Sequence, residues 1–165
     1  MSDAARSSRP IARVGVVAKS GLREAAGTLV ELSAWLDSRG LTGVFENETA
    51  ALADLGNRVA TCSRDEMPGS ADMVLVLGGD GTLLGMGDRI AQAGTDIPLL
   101  GVNFGGLGFL TEITLPELFP ALDAAIDGSA KLDQRRMLHA VVRRGESVVA
   151  DRVALNDVAL TRGEN

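Results

Sequence analysis

The sequence predicts an α/β fold: an open, mostly parallel sheet flanked by helices, followed by antiparallel strands toward the end of the chain. Three observations carry this. Apolar runs of strand length at 14–18, 73–77 and 98–102 are continuous rather than alternating, as in parallel strands covered on both faces. Between them lie segments whose apolar residues recur with helical spacing. Beyond Gly128 the texture changes to imperfect alternation around a Gly145-Glu146 turn, which marks antiparallel pairing. A boundary near Ser129 is therefore expected, with an α/β unit over 1–129 and the start of a second, mainly β unit over 130–165.

Composition bounds the function. With 165 residues and 45% hydrophobic content the chain can bury one real core, while two full domains would be cramped. A net charge of −6 offers no broad basic field, so nucleic-acid backbone binding is disfavoured and small partners are favoured. The single cysteine, Cys62, excludes an intramolecular disulfide and offers no metal cluster, which fits a reducing cytoplasm. Residues 1–10 are polar and small, and the apolar run over 11–18 is interrupted by Arg13, so no signal peptide is expected. No stretch approaches the roughly 18 apolar residues of a membrane span, and a soluble, cytoplasmic protein with no membrane partner is expected.

In chain order, 14–18 reads as the first parallel strand and 19–21 as its turn, where Lys19 and Ser20 are weak candidates for touching a phosphate. A helix over 22–38 carries an apolar stripe of Leu22, Ala25, Ala26, Leu29, Leu32, Ala34, Trp35 and Leu36, and Gly40 stops it. A short strand over 41–46 and a helical turn or two over 48–55 follow, and 67–70 reads as punctuation. The central strand, 73–77, ends at Gly78-Gly79, and a helix runs from about Thr82 to Ala93 with Leu83, Leu84, Met86, Ile90 and Ala91 inward. Gly85 and Gly87 inside it suggest close approach by backbone or ligand, because each costs about 1 kcal/mol of helix propensity relative to alanine. A strand over 98–102 discharges into a second glycine loop, and Leu115-Pro116-Glu117 opens a helix that Gly128 ends. Strands over 132–144 and 148–150 form the hairpin, and 154–160 reads as one more apolar strand.

The chemistry lies where the central strand meets its helix. Gly78, Gly79 and Gly81 admit a phosphate close to the backbone, and Thr82 opens the helix whose free amides face outward. Asp80 is the odd member, because a carboxylate in a phosphate turn repels the ligand unless it faces a metal ion or accepts from a hydroxyl. The structural alternative is that Asp80 caps the helix. A P-loop would require Gly-Lys-Ser/Thr, which is absent, and Gly79-x-Gly81-x-x-x-Gly85 is one residue too long for the dinucleotide fingerprint. Two neighbouring strands ending in glycine loops form one crevice at the carboxyl edge of the sheet. Phe109 in the second loop either stacks on a base or plugs the sheet end. Asn156 and Asp157, set in an apolar strand, need partners: either they satisfy a loop backbone internally, or they serve ribose hydroxyls and a base edge, to which an amide and a carboxylate are suited. His139, Arg135-Arg136 and Arg143-Arg144 read as structural or solvated positions.

The segments SADMVLVLGGDGTLLG, PLLGVNFGGLGFLTEI and ALNDVALTRG, in that order, resemble the N-terminal part of bacterial NAD kinases. GGDGT by itself also occurs in diacylglycerol and sphingosine kinases; the other two segments make the resemblance specific. It implies the α/β N-terminal domain that NAD kinases share with diacylglycerol kinases, followed here by the first strands of an incomplete β domain. It also implies transfer of the γ-phosphoryl group of ATP to the 2′-hydroxyl of NAD, with Asp80 as base, the glycines and Thr82 shaping the phosphate turn, and Phe109 lining the adenosine site. Asn156 and Asp157 match the family's Asn-Glu pair, with aspartate in place of glutamate shortening the reach. Magnesium is expected with ATP, no residue is assigned as a metal ligand, and the resemblance implies a homo-oligomeric full-length protein. The alternatives are a diacylglycerol-class lipid kinase and a nucleotide-binding fragment without turnover. The family's later Gly-Asp-Gly and Thr-Gly-Ser-Thr-Ala-Tyr-like segments do not occur in these residues, so the chain resembles a C-terminally truncated member.

Overall fold

Six strands build one parallel sheet: β1 (Arg13–Ala18), β2 (Thr42–Glu46), β3 (Ala60–Cys62), β4 (Met73–Gly78), β5 (Leu99–Asn103) and β6 (Ile113–Thr114), in the order β3-β2-β1-β4-β5-β6. The structure is a computed structural model, and it describes residues 10–105, 108–155 and 157–159. The helices are α1 (Ala26–Ser38), α2 (Asn47–Leu52), α3 (Met67–Ser70), α4 (Asp80–Gln92) and α5 (Leu118–Asp127).

The unbroken apolar runs have the cause expected of them. Along β1 and β4, Val14, Val16, Ala18, Met73, Leu75 and Leu77 face one side, where Leu29, Leu32 and Leu36 of α1 and Leu118 and Leu122 of α5 cover them. Val17, Val74 and Val76 face the other, against Met67 of α3 and Leu83, Met86 and Ile90 of α4. With both faces buried, alternation has no function, and a parallel strand becomes continuously apolar. Ala34 of the expected stripe is exposed, and Leu84 and Ala91 are only half-buried. The first turn expected for α1 is a 3-10 turn at Arg23–Ala25, and α5 is preceded by another at Leu115–Glu117, where Thr114 and Glu117 form a capping box. Gly128 ends α5 in the left-handed conformation, φ 80°.

Three elements escaped the sequence reading. Strands β3 and β6 hold only three and two residues at the sheet edges, too short for a period to show. The stretch expected as punctuation is α3, a single turn whose Met67 and Pro68 are buried under the sheet.

Strands β7 (Leu138–Arg144) and β8 (Ser147–Ala154) form a separate antiparallel pair with a bulge at Val142/Arg143. Of the strand expected over 154–160, Ala154 ends β8, opposite the first residue of β7, and 157–159 are irregular and exposed, which corrects the expectation there; 156 and 160 lie outside the described residues. A strand pairs its backbone groups with a neighbour, and the β7–β8 register ends with Leu138 opposite Ala154, so 157–159 are not part of that ladder. Gly87 belongs to the packing of this end of the chain. A Cβ there would sit 3.6 Å from Leu155 Cδ2 and 3.9 Å from Leu99 Cδ1, ordinary contact distances, so Leu155 lies against α4 without requiring glycine at 87.

The chain turns to opposite sides of the sheet after β1 and after β4, and this reversal opens a crevice at their carboxyl ends. One wall is a buried polar knot. Thr49 Oγ1 accepts from the Ala18 amide at 2.8 Å and donates to Glu46 at 2.6 Å, and Arg64 lies 3.5 Å from the same carboxylate while donating to the Ala18 carbonyl. Burial pushes the Glu46 carboxyl up, but Thr49 and Arg64 together hold it below its ordinary value.

Candidate functional site

Strand β4 delivers its last residue, Gly78, beside Asn103 at the end of β5, so the two glycine loops leave the sheet side by side. A Cβ on Gly78 would lie 2.9 Å from Thr82 Oγ1 and 3.1 Å from Lys19 Cβ, closer than side chains pack, so the turn into α4 requires glycine here. Helix α4 begins at Asp80, two residues earlier than expected, with extended Gly79 as its N-cap.

Asp80 does not cap its own helix. Its carboxylate reaches across to the second loop, where Oδ2 accepts from the Phe109 amide at 2.8 Å. Oδ1 accepts from the amides of Leu110 at 3.1 Å and Thr111 at 3.0 Å and from the Thr111 hydroxyl at 3.0 Å. Burial acts to raise the Asp80 carboxyl, but these four donors outweigh it and hold it below its ordinary value. Asp80 is thus ionised at neutral pH, a well-oriented acceptor and a weak base.

A further layer holds the donors. Thr111 is completely buried, and its hydroxyl also accepts from Asn103 Nδ2 at 3.3 Å. Asn103 Oδ1 accepts from the Gly105 amide at 2.8 Å, which fixes which way the side-chain amide points. Gly108 is obligatory, because a Cβ there would overlap Asp80 Oδ1 and stand 2.6 Å from Thr111 Oγ1. Asn103, Gly108 and Thr111 were missed as site residues. The available signal was Thr111 itself, a polar residue directly after Phe109-Leu110 that must find a partner once buried.

The expected residues divide as follows. Gly78, Gly79, Asp80, Gly81 and Thr82 form one turn, with Gly81 exposed and Thr82 half-buried. Phe109 joins it through its backbone, while the residue is 92% exposed, so it does not plug the sheet end. Asn156 lies outside the described residues, and Asp157 is exposed, two positions beyond the Leu155 that rests on α4. Of the weaker candidates, Lys19 is exposed at the mouth of β1, and Ser20 donates to Glu48 at 2.9 Å. A cleft of about 310 Å³ opens beside Asn103, walled by Phe104, Gly105, Thr114 and Leu115.

Two other reactive side chains are structural. The Cys62 thiol is pushed up by burial and by Glu66 and Glu46, against a hydrogen bond with Ser70, and is a poor nucleophile. His139 pairs with Asp151 across the hairpin at 2.6 Å, with both residues well exposed. Among the described residues no group of three or more His, Cys, Asp or Glu is placed to hold a metal ion, and no helix is long and apolar enough to cross a membrane.

Comparison with known proteins gives a consistent set of relatives. A family model, the ATP-NAD kinase N-terminal domain, matches residues 14–130. The NAD kinase of Geobacter sulfurreducens is 43% identical over 152 residues, and that of Geobacter metallireducens 40% identical over 151; each match covers 92% of this chain and 51% of the relative. The chain thus spans about half the length of the curated relatives it matches. Among solved structures, yeast NADH kinase complexed with NADH superposes with a TM-score of 0.72 over 89% of this chain and 47% of the other; at 21% identity this is a likeness of fold.

Proposed function

The chain belongs to the ATP-NAD kinase family, whose N-terminal domain it carries, and on that premise we propose that the full-length protein phosphorylates the 2′-hydroxyl of the adenosine ribose of NAD, using ATP, to give NADP. One observation carries the reading to the residues: the GGDGT aspartate and the glycine-phenylalanine loop are one hydrogen-bonded unit, with Asp80 bound to Phe109, Leu110 and Thr111. In this mechanism the ribose 2′-oxygen bonds to the γ-phosphorus, the bridging P–O bond breaks, and its electron pair leaves with ADP. The hydroxyl proton passes to the Asp80 carboxylate. A low-pKa acceptor is adequate, because a loose phosphoryl-transfer transition state depends more on hydroxyl orientation and charge neutralisation than on base strength. ATP enters as its magnesium complex, and the ion arrives with the substrate. In this proposal Gly78, Gly79, Gly81 and Thr82 shape the phosphate turn, and Phe109, which is exposed, stacks on the adenine. The same proposal takes 130–165 as the start of a second, mainly β unit, and the full-length protein as a cytoplasmic homo-oligomer with no nucleic-acid partner.

Substrate choice tests the reading. Full-length protein supplied with ATP and magnesium is expected to form NADP from NAD and to leave diacylglycerol untouched; phosphorylated lipid with NAD unchanged would assign the site to the lipid-kinase class that shares GGDGT.

A second expected outcome concerns Asn156 and Asp157, proposed to hold the NAD moiety. Alanine at either position should raise the KM for NAD more than that for ATP, by roughly 10- to 100-fold, as expected for losing a hydrogen bond to a charged group of about 1.5–3 kcal/mol. Equal weakening of both substrates would indicate a folding defect instead.

A further inference from the structure

The four donors on Asp80 are divided unequally between its oxygens. Oδ1 receives the Leu110 amide, the Thr111 amide and the Thr111 hydroxyl, whereas Oδ2 receives the Phe109 amide. A carboxylate oxygen has two lone-pair directions, so three donors fill Oδ1 and one donor leaves Oδ2 room for another. The polarity of the contacts behind Oδ1 is also set. Gly105 N–H points to Asn103 Oδ1, Asn103 Nδ2 points to Thr111 Oγ1, and the Thr111 hydroxyl, already accepting, directs its proton to Asp80.

We propose that Thr111 is a positioning residue whose hydroxyl, oriented by Asn103, anchors Asp80 Oδ1 and so holds Oδ2 toward the hydroxyl that is phosphorylated. The inference rests on the reading of Asp80 as the acceptor of that hydroxyl proton. Without the Thr111 hydroxyl Oδ1 still has its two amide donors, but the carboxylate loses the buried contact that Asn103 orients, and its plane, and with it the direction of Oδ2, is less firmly held. Such a loss acts on the chemical step more than on nucleotide binding, because misorientation by a fraction of an ångström is felt mainly in the transition state.

Packing gives Thr111 a competing role with the opposite signature. Its γ-methyl fills the space over Gly101, where a Cβ would stand 2.9 Å from Thr111 Cγ2. Thr111→Val keeps the methyl and removes the hydroxyl, while Thr111→Ser does the reverse. In the full-length protein, Thr111→Val is expected to lower kcat at least about 10-fold with the KM for NAD and ATP within about threefold, and Thr111→Ser to keep kcat within about threefold of wild type. A Val variant with near-normal kcat, or a Ser variant as impaired as Val, overturns the proposal and leaves Thr111 a packing residue. Should Val fail to fold, Thr111→Ala replaces it, since Ser and Ala both lack the methyl and differ in the hydroxyl; equal kcat for that pair overturns the proposal. Asp80→Asn is measured alongside. If it retains turnover, or if the wild-type protein phosphorylates no NAD, the underlying reading is lost and this inference with it; if Asp80→Asn is inactive and the Thr111 comparison fails, only the positioning role is lost.

Discussion

Asp80→Asn in the full-length protein is expected to lower kcat by at least about 100-fold while nucleotide binding largely survives, within the range of a lost acid-base group. The substitution removes the charge and basicity, and the geometry adds a second consequence. Four donors face the carboxylate, and an amide side chain offers them one oxygen. With that oxygen at the Oδ1 position, the new NH₂ meets the Phe109 N–H donor to donor, so that one hydrogen bond is lost while the Leu110 and Thr111 donors still hold the loop. Binding of NAD and ATP, measured by calorimetry on the same variant, separates loss of chemistry from loss of the loop. Near-normal turnover would reduce Asp80 to a clasp between loops. The pH dependence has a definite sign: donors hold the folded carboxyl below its ordinary value, so their contribution to stability is present above the ordinary aspartate pKa of about 3.9 and is lost as pH falls through the lower folded value.

The chain of residues 1–165 by itself is expected to show kinase activity below about one-thousandth that of the full-length protein, because positioning and exclusion of water supply most of phosphoryl-transfer catalysis. Its site is open. Phe109 is 92% exposed, and Gly81 and Asp157 are exposed. The β7–β8 pair also leaves Leu138, Val141, Val142, Val148 and Val149 exposed, an apolar surface that favours self-association. A coupled assay for NADP on purified monomeric chain, with ATP and magnesium, checks this; turnover near that of the full-length protein would show that the rest of the relatives' length is dispensable.

What could be read from the sequence was whatever a local pattern must express. Strands β1 and β4 announce themselves because burial on both faces demands an apolar residue at every position, and the glycines after β4 and β5 mark where backbone must approach backbone or ligand. Three motifs in order pointed to the family, which the match over 14–130 bears out. Edge strands β3 and β6 stayed hidden because two or three residues carry no period, and 157–159 are not the strand expected of them because apolar character does not set where a ladder ends.

The sequence by itself determined the parallel α/β architecture, the turn that presents Asp80 and the family to which the chain belongs. Only the tertiary structure decided what Asp80 touches. Its partners lie 29 to 31 residues further along, and they meet it because β4 and β5 pair with Gly78 opposite Asn103 and because Gly108 has no side chain to keep the loop away. A buried polar group states in the sequence that it needs a partner, but many partners satisfy that need equally; which one is present depends on strand register, and register is fixed by the packing of the whole sheet.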